Sequence, residues 1–428
     1  MRLLIANDID ETLFLRPDPR AWAERVFWFA REGDVVVVSD EPDPAFVRHV
    51  GAVTGVDTDR VRVHVCPPGV HGTRRIDPDA LVTPEFVAAV AADLADVDEV
   101  VTLFPSAEID GFVTLLGVRD RVAGVEFLAQ GGSELANSKA TFRAVATAAG
   151  VPIAPGAVCR SPGEGIRALR ALRAAGHDVM VKMAHRGAGA GNEMVLRAGA
   201  DAPAHVGGHH VCVLEPGEET AYVEERWKWA SADGRYPVVV EALLDVDASV
   251  YAEFVVTDDG VAFSGDGTLA FADRRLVADV TPASTLPARQ RRALADGGRA
   301  LAQAYRALGY RGHLAADAVL TRAGTIAYTE VNARTTTSTH LFELRARVPE
   351  ATLWQRFTPQ TWAPVRAAAF LQAVADAGIA FDPATGRGVL MTMPAAHVPQ
   401  GGFLYVVAGT RPGDEARFQR VLDDLFAA

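Results

Sequence analysis

Residues 312–334 read GHLAADAVLTRAGTIAYTEVNAR, two runs of β-forming residues on either side of a short turn. This pattern predicts a β-hairpin. A loop over residues 322–325 places Asp317 directly across from Glu330. Because strand side chains alternate, Asn332 then projects from the same face as Glu330. The hairpin therefore predicts three oxygen-bearing side chains on one face of a sheet.

Two carboxylates that face each other across a β-ladder repel and destabilise the pair. A bound cation removes this conflict, and the oxygens of Asp, Glu and Asn suit Mg²⁺, which proteins usually share with substrate phosphates. Asp317, Glu330 and Asn332 are therefore candidate Mg²⁺ ligands. The alternative is a solvated hairpin edge, and a register slip of one residue would break the argument.

A second motif is a glycine-rich loop that follows Lys182, a lysine inside the apolar strand predicted over residues 179–183. The loop glycines free the backbone N–H groups to approach a phosphate; they are Gly187, Gly189 and Gly191. Neither the P-loop nor the dinucleotide fingerprint fits, because a strand-like run follows the loop. A flexible hairpin loop is the alternative.

Two further polar residues stand at the ends of predicted elements. Lys139 opens a helix after Asn137-Ser138 and is a candidate phosphate ligand, with an ordinary first-turn lysine as the alternative. Glu241 closes the apolar run 238–240 and precedes Ala242-Leu243-Leu244, so its carboxylate can accept hydrogen bonds from ligand hydroxyls while neighbouring backbone groups help to bind a base. A strand end that reaches solvent explains Glu241 equally simply.

The composition narrows the class of partner. Over 428 residues, Lys and Arg total 42 against 54 Asp and Glu, a formal net charge of −12. An acidic chain is a poor candidate for broad contact with nucleic acid or an anionic membrane, so a small-molecule site is favoured. Three scattered cysteines with no CxxC support neither a disulfide framework nor a structural zinc site.

The N-terminal stretch and the longest apolar runs favour a cytoplasmic location. The N-terminal run turns polar at Asn7-Asp8, which is not typical of a signal peptide, and no uncharged apolar stretch reaches the roughly 20 residues of a membrane helix. In the first third, short buried strands alternate with helical patterns. This alternation predicts an α/β, Rossmann-like domain with a parallel sheet.

The order of the polar motifs resembles that of the ATP-grasp superfamily. The matching segments are Asn137-Ser138-Lys139, Lys182 with its glycine loop, Glu241 to Leu244, Asp317, and Glu330-Val331-Asn332-Ala333-Arg334. The resemblance implies that the two lysines hold the phosphates of ATP, that Glu241 and Leu244 help to bind adenosine, and that the two acids and Asn332 hold Mg²⁺. Gly309-Tyr310-Arg311-Gly312 is similar to the carboxylase branch.

A closer resemblance is to ATP-grasp peptide ligases of the pheganomycin-biosynthesis type, carried by residues 330–340, by Asn137-Ser138-Lys139 and by residues 388–392. One departure is Met183-Ala184, where many ATP-grasp chains have Lys-Pro. The resemblance implies an α/β and α+β architecture. The expected parts are a Rossmann-like pre-ATP-grasp domain (1–134), an ATP-grasp core (135–345, with a lid at about 150–240 and the Mg²⁺- and ATP-binding part at about 241–345), and a small α+β C-terminal lobe (346–428).

The activity that this resemblance implies is ATP-dependent ligation of a carboxylate to an amine through an acyl phosphate, with ADP and phosphate released, in peptide natural-product biosynthesis. Arg334 and Lys182 would be catalytic. Candidate substrate contacts are Arg274, Arg275, Thr335, Thr337 and Ser338. The expected partners are small-molecule carboxylates, amines or peptides, with a homodimer as a candidate assembly.

Two other classes of function remain open from the sequence. Asp8 and Asp10 fit the DxDx[TV] nucleophile motif of haloacid-dehalogenase-type phosphatases, and Ser39 ends the next predicted strand, as that family's second motif requires. However, the opening domain has no later acidic pair of the GDxxxD kind. The third class is a non-catalytic nucleotide-binding protein, although both lysines and all three candidate metal ligands are present.

Overall fold

The structure is a computed structural model that describes residues 1–8, 18–187, 189–359, 361–394 and 403–427. The chain forms two compact units. Unit 1 contains residues 1–131, 278–282 and 334–428, and unit 2 contains residues 132–277 and 283–333. Residues 334–428 thus pack with the N-terminal part of the chain, and the three domains drawn from the sequence stay a prediction.

The strands in chain order are β1 (Arg2–Ile5), β2 (Val35–Val38), β3 (Arg62–Val65), β4 (Glu99–Thr102), β5 (Gly156–Cys159), β6 (Val179–Met183), β7 (Asn192–Arg197), β8 (His210–Leu214), β9 (Val238–Ala242), β10 (Val246–Val256), β11 (Val261–Ala272), β12 (Arg275–Thr281), β13 (Gly312–Thr321), β14 (Ile326–Asn332), β15 (Thr352–Phe357), β16 (Gly388–Met393) and β17 (Leu404–Gly409).

The α-helices are α1 (Arg20–Ala23), α2 (Pro44–Thr54), α3 (Pro78–Leu81), α4 (Pro84–Asp93), α5 (Asp110–Leu115), α6 (Val125–Ala129), α7 (Gly132–Ala136), α8 (Lys139–Ala148), α9 (Pro162–Ala174), α10 (Glu219–Ala230), α11 (Ala288–Leu308), α12 (Thr339–Arg347), α13 (Ala367–Asp376) and α14 (Asp414–Phe426). Short 3₁₀ helices cover Glu24–Phe29, Thr58–Arg60, Ala107–Ile109 and Arg119–Arg121. None of the helices in the described ranges is both long and apolar enough to cross a membrane.

Unit 1 opens with a parallel sheet in the order β3-β2-β1-β4. The valines of β2 are fully buried, as expected for a parallel strand covered on both faces. This confirms the Rossmann-like opening. A second, antiparallel arrangement joins residues 278–281 of β12 to β15, β17 and β16. One hydrophobic cluster contains buried residues from both ends of the chain, from Leu4 to Phe426.

The described residues of unit 2 form two sheets. The first has the strand order β5-β9-β6-β7-β8, and the second is an antiparallel arrangement of β14, β13, β10 and β11. Helix α11 packs on one face of the second sheet. Gly297 and Gly298 permit this close approach, because a Cβ atom there would lie 2.7 Å from the Tyr328 and Phe254 rings. The opposite face of β13 and β14 carries the polar residues.

The β13–β14 hairpin confirms the predicted pairing of Asp317 with Glu330, but it reaches that pairing by another route. Leu320 pairs with Ile326, so the loop differs from the one expected from the sequence, which would pair Leu320 one residue further along β14. The register shifts by one residue next to Asp317, where Thr329 forms a β-bulge. The altered loop and the bulge offset each other, and the two carboxylates remain directly opposed.

Candidate functional site

Three polar side chains of the hairpin share one face. Asp317 pairs with Glu330, and Asn332 pairs with Ala315 two residues along the ladder. The Asn332 amide donates a hydrogen bond to Asp317 Oδ2 over 2.8 Å, which turns the amide nitrogen toward the carboxylate. Two carboxylates and an amide oxygen make an all-oxygen donor set, which fits Mg²⁺ if substrate oxygens complete the shell.

Within the described residues, no group of three or more His, Cys, Asp or Glu side chains could hold a metal ion. A site built from two carboxylates and one amide is consistent with that result. Such a site relies on its substrate for further ligands, as is usual for Mg²⁺ that is bound together with phosphates. The residues present therefore fit a shared ion rather than a metal held by the protein alone.

Lys139 stands at the first turn of α8, whose N-cap Ser138 accepts a hydrogen bond from the Thr141 N–H. The lysine is buried, and its Nζ lies 2.8 Å from Glu330 Oε2. The same Nζ donates to the carbonyl oxygen of Arg186 over 2.6 Å. One lysine thus connects the hairpin carboxylate to the glycine loop, although the two segments are far apart in the sequence.

Lys182 is buried in β6, and its Nζ lies 2.6 Å from Glu241 Oε1. In the β6–β9 ladder Glu241 pairs with Met180, so Glu241 and Lys182 are diagonal neighbours on one face. The second oxygen of Glu241 accepts a hydrogen bond from Arg143, one turn after Lys139 on α8. We call Arg143, Lys182 and Glu241 the Glu241 cluster, and Asp317, Glu330 and Lys139 the Glu330 cluster.

The β-bulge at Thr329 contacts both sheets of unit 2. Its hydroxyl donates to the backbone carbonyl of Asp317 over 3.2 Å. Its own carbonyl accepts a hydrogen bond from Lys182 Nζ over 3.5 Å. Bulges frequently re-aim backbone groups beside active sites. Thr329 therefore supplies a carbonyl acceptor for Lys182 of the neighbouring sheet.

The glycine loop is a tight structure at the positions that the structure describes. Arg186 has φ 137°, a backbone conformation that side-chain-bearing residues rarely adopt, and Gly189 has φ 74°. At Gly191 a Cβ atom would lie 2.6 Å from the Arg186 Cβ, so only glycine fits. Gly208, in a stretch that the sequence suggests is an exposed loop, is buried next to Gly189. Gly187 precedes the turn.

His185, between Lys182 and the glycine loop, is buried against Tyr236 with ring centroids 4.4 Å apart. Burial lowers the pKa of His185 to about 4, and the charges of Lys139 and Arg235 act in the same direction. His185 is therefore neutral at pH 7. It adds no second positive charge beside Lys139.

An apolar cluster lies between the two sheets of unit 2. Its buried members are Met180, Met194, Leu196, Val206, Val246, Val319 and Ala327, and Leu243 and Leu244 pack against it. Met180 lies on the same face of β6 as Lys182, since the two are separated by one residue. Leu243 and Leu244 are the two residues that directly follow β9. The Glu241 cluster and this apolar cluster are thus continuous on one face of β6. A nucleotide, with its base and its phosphates, requires such a surface.

Four predicted site residues belong to unit 1. Strand β14 ends at Asn332, so Arg334 lies beyond the strand and strand alternation does not set the direction of its side chain. The Thr335 hydroxyl donates to the Leu103 carbonyl, and the Ser338 hydroxyl donates to Asp279. The Thr337 carbonyl accepts a hydrogen bond from the buried Gln355. These groups hold the loop inside unit 1, and their substrate roles stay predictions.

The remaining predicted residues lie elsewhere. Arg274 forms the β11–β12 turn with φ 65°, and its backbone N–H donates to the Ala204 carbonyl over 2.8 Å. This contact ties the turn to the segment before β8. Arg275 begins β12 and is exposed. Asp8 is buried after β1, whereas Asp10 lies outside the described residues.

Sequence reasoning missed Arg143, Thr329 and His185. Arg143 could have been found from its spacing, because residues four apart on a helix share a face and Lys139 is already a candidate. A neutral buried histidine and a bulge residue carry no comparable signal. Their roles depend on which strands meet, and one segment alone does not contain that information.

Two family models match parts of the chain: a pre ATP-grasp domain over residues 23–118 and a PGM1 C-terminal domain over residues 369–420. No curated protein matches the sequence. Among solved structures, the chain is similar to biotin carboxylase from Campylobacter jejuni in complex with β,γ-ATP, with a TM-score of 0.61 and 15% identity. This match covers 100% of the present chain and 92% of the other.

A second similar structure is the biotin carboxylase domain of the Hydrogenobacter thermophilus 2-oxoglutarate carboxylase, in complex with MgADP, ADP and bicarbonate. Its TM-score is 0.61 at 14% identity, with 99% of the present chain and 89% of the other covered. A third is N5-carboxyaminoimidazole synthetase from Staphylococcus aureus with ADP, at a TM-score of 0.58 and 11% identity, covering 99% and 97%. The chain therefore has an ATP-grasp-like fold with a pre-ATP-grasp domain before it and a C-terminal domain after it.

Proposed function

We propose that the protein is an ATP-dependent ligase that couples a carboxylate to an amine. The observation that carries this proposal is the contact between Lys139 and Glu330, together with that between Lys182 and Glu241. Each joins a candidate phosphate ligand to a candidate metal or nucleoside ligand within one unit. The fold supports the proposal, because the similar structures are ATP-grasp enzymes solved with adenine nucleotides.

The two lysines have the donors that a polyphosphate needs. An ammonium group has three N–H donors. Lys139 uses two of its donors on Arg186 and Glu330, and Lys182 directs two toward Glu241 and Thr329. The remaining donor of each can bind a phosphate oxygen. Because both ammonium groups are fixed by protein acceptors, their positions are set before a phosphate arrives.

Asp317, Glu330 and Asn332 would hold Mg²⁺, which when bound neutralises phosphate charge and aligns the γ-phosphoryl group for transfer. The protein's own residues fix the geometry around it. Asn332 orients the Asp317 carboxylate, and Lys139 orients that of Glu330. Phosphoryl transfer needs this alignment and charge neutralisation more than covalent participation by a side chain.

In the proposed reaction the substrate carboxylate attacks the γ-phosphoryl group of ATP, which gives an acyl phosphate and ADP. An amine then displaces phosphate and forms an amide. Within this class we propose peptide-bond formation in natural-product biosynthesis. The support for this narrower assignment is the sequence resemblance at residues 330–340 and 388–392.

The test is ADP release in the presence of ATP, Mg²⁺ and a mixed pool of amino acids and short peptides, with product masses read by mass spectrometry. ADP release that requires both a carboxylate and an amine supports the ligase. Phosphate release from a phosphomonoester that is lost in Asp8→Asn would instead support the phosphatase class. Nucleotide binding without turnover of any member of the pool would support a binding protein.

The Glu330→Ala variant tests the site itself. We expect ADP formation to fall by about 10³-fold or more, since a charge at the reacting phosphates is lost. The matched control is Asp245→Ala, which removes an exposed carboxylate that pairs with Arg322 beside the same hairpin. The control should keep full activity. Retained activity in Glu330→Ala, with the fold intact by circular dichroism, would contradict the assignment.

A further inference from the structure

Arg143 is a buried arginine on α8 that the sequence pattern does not mark. Its Nη1 donates to Glu241 Oε2, and its Nη2 donates to the Ala154 carbonyl over 2.9 Å. Both the Arg143 and the Glu241 side chains are almost fully buried, at 8% and 6% exposure. The guanidinium is therefore held on two sides and has little freedom to move.

The charges of the Glu241 cluster do not balance. Arg143 binds one oxygen of the Glu241 carboxylate and Lys182 binds the other, 2.6 Å away. Two cations thus share one anion inside the protein, and the cluster carries one excess positive charge. Such an excess is costly in a buried environment unless an anion meets it.

We propose that Arg143 is a positioning residue for nucleotide binding. Because the arginine already neutralises Glu241, the charge of Lys182 remains available to a nucleoside polyphosphate. Without Arg143, Lys182 and Glu241 form a balanced pair. A phosphate that draws on Lys182 must then leave the Glu241 carboxylate under-compensated. This inference rests on the proposed function and extends it to a residue that does not touch the phosphates itself.

Helix α8 makes the arrangement rigid. Lys139 and Arg143 are four residues apart, and residues with this spacing lie on one helix face. Lys139 reaches Glu330, and Arg143 reaches Glu241. One helix therefore presents a cation to each of the two clusters. A change at Arg143 alters the Glu241 cluster alone, which separates its effect from that of the metal ligands.

The test measures ADP binding by isothermal titration calorimetry with the full chain. Removing the Arg143 charge leaves Lys182 to balance Glu241 alone, so Arg143→Met should weaken ADP binding by about tenfold. Arg143→Lys keeps the charge and should recover most of the affinity. The double variant Arg143→Met with Glu241→Gln removes both charges and returns Lys182 to the phosphate, so it too should bind more tightly than Arg143→Met alone.

The chain offers a matched control in Arg173. Its Nε lies 3.0 Å from Glu219 Oε1 with both side chains 9% exposed, and its Nη2 donates to the Leu214 carbonyl over 2.9 Å. It is thus a buried arginine of unit 2 with the same kinds of partner. Arg173→Met should lower thermal stability and leave ADP affinity unchanged. A purely structural role for Arg143 would make the two variants alike.

The outcomes separate the two proposals. A native chain that binds no ADP would overturn the proposed function, and this inference with it. A native chain that binds ADP while Arg143→Met binds it equally well would overturn the inference alone. If Arg143→Met does not fold, Arg143→Lys and the double variant decide. Loss of affinity in both, with Arg173→Met binding normally, would contradict the charge argument.

Discussion

The Glu241 cluster and the Glu330 cluster differ in the sign of their excess charge. The first joins Arg143 and Lys182 to one carboxylate, which leaves one positive charge. The second contains the Lys139–Glu330 ion pair and the Asp317 carboxylate opposite Glu330, so the formal charges of its three side chains sum to −1. Unit 2 thus offers the Glu241 cluster to an anion and the Glu330 cluster to a cation. A metal-bound nucleotide carries both, so each cluster can be tested separately.

The largest of the following effects is expected for Lys182→Met. This variant removes a buried charge-assisted donor, so the affinity for ADP should fall by about 100-fold. The Mg²⁺ concentration at half-maximal turnover should stay the same, because Lys182 belongs to the Glu241 cluster. Calorimetry with ADP and a Mg²⁺ titration of ADP release measure the two quantities.

A matched control for Lys182→Met is Lys228→Met, an exposed lysine that pairs with Asp233 at the end of α10. It should bind ADP as the native chain does. An equal loss of Mg²⁺ affinity and nucleotide affinity in Lys182→Met would show that the two clusters act as one. That result would contradict the separate roles of the Glu241 cluster and the Glu330 cluster.

Asp317→Asn should produce a smaller effect, and that effect should be on the Mg²⁺ requirement rather than on the affinity for ADP. The variant cancels the negative excess of the Glu330 cluster and keeps the shape of the side chain. The Mg²⁺ concentration at half-maximal ADP release should rise by about tenfold, and ADP binding without Mg²⁺ should be no weaker. Asp258→Asn, which alters an exposed carboxylate paired with Arg311, is the control. An unchanged Mg²⁺ requirement would argue against Asp317 as a ligand.

The smallest effect concerns His185, whose neutrality preserves the negative excess beside Lys139. Its pKa is lowered by burial to about 4, whereas the ordinary value is 6.5. In the pH window between about 4 and 6.5, the unfolded chain therefore takes up a proton on this histidine and the folded chain does not. Stability rises with pH across the window and is lost as the pH falls through it.

Between pH 7.5 and 5.5 this histidine should account for about 1 kcal/mol of the loss in unfolding free energy. His185→Gln removes the titration and should flatten the stability curve over that range, as measured by thermal or urea denaturation. His205→Gln, a change at an exposed histidine, serves as the control. A curve for His185→Gln that parallels the native one would contradict the assigned pKa.

Much of the fold could be predicted because it depends on local patterns. The strand at residues 179–183 has the expected position, and Asp317 lies opposite Glu330 as the hairpin pattern predicts. The loop expected from the sequence does not by itself explain that opposition, because it leaves out the bulge at Thr329. Turn geometry and bulge each shift the register by one residue, and the alternation of buried and polar positions determines their combined effect.

The rest depends on contacts between distant segments. Arg143 looks like any charged residue of an amphipathic helix until Glu241 is placed beside it. The sequence resemblance makes the hydroxyls of Thr335 and Ser338 candidate substrate contacts. In the structure their partners are Leu103 and Asp279, which lie far away in the sequence. No local pattern marks these partners.

The construction of unit 1 from both ends of the chain has a consequence for biosynthesis. Its hydrophobic cluster includes Leu4 and Phe426, and most of unit 2 is synthesised between its two main parts. At ribosomal speeds that interval lasts roughly 10–40 s. During this time the buried strands β1 and β2 lack their C-terminal partners. The nascent N-terminus therefore depends on chaperones or on its own parallel sheet to avoid aggregation, and unit 2 can complete its core first.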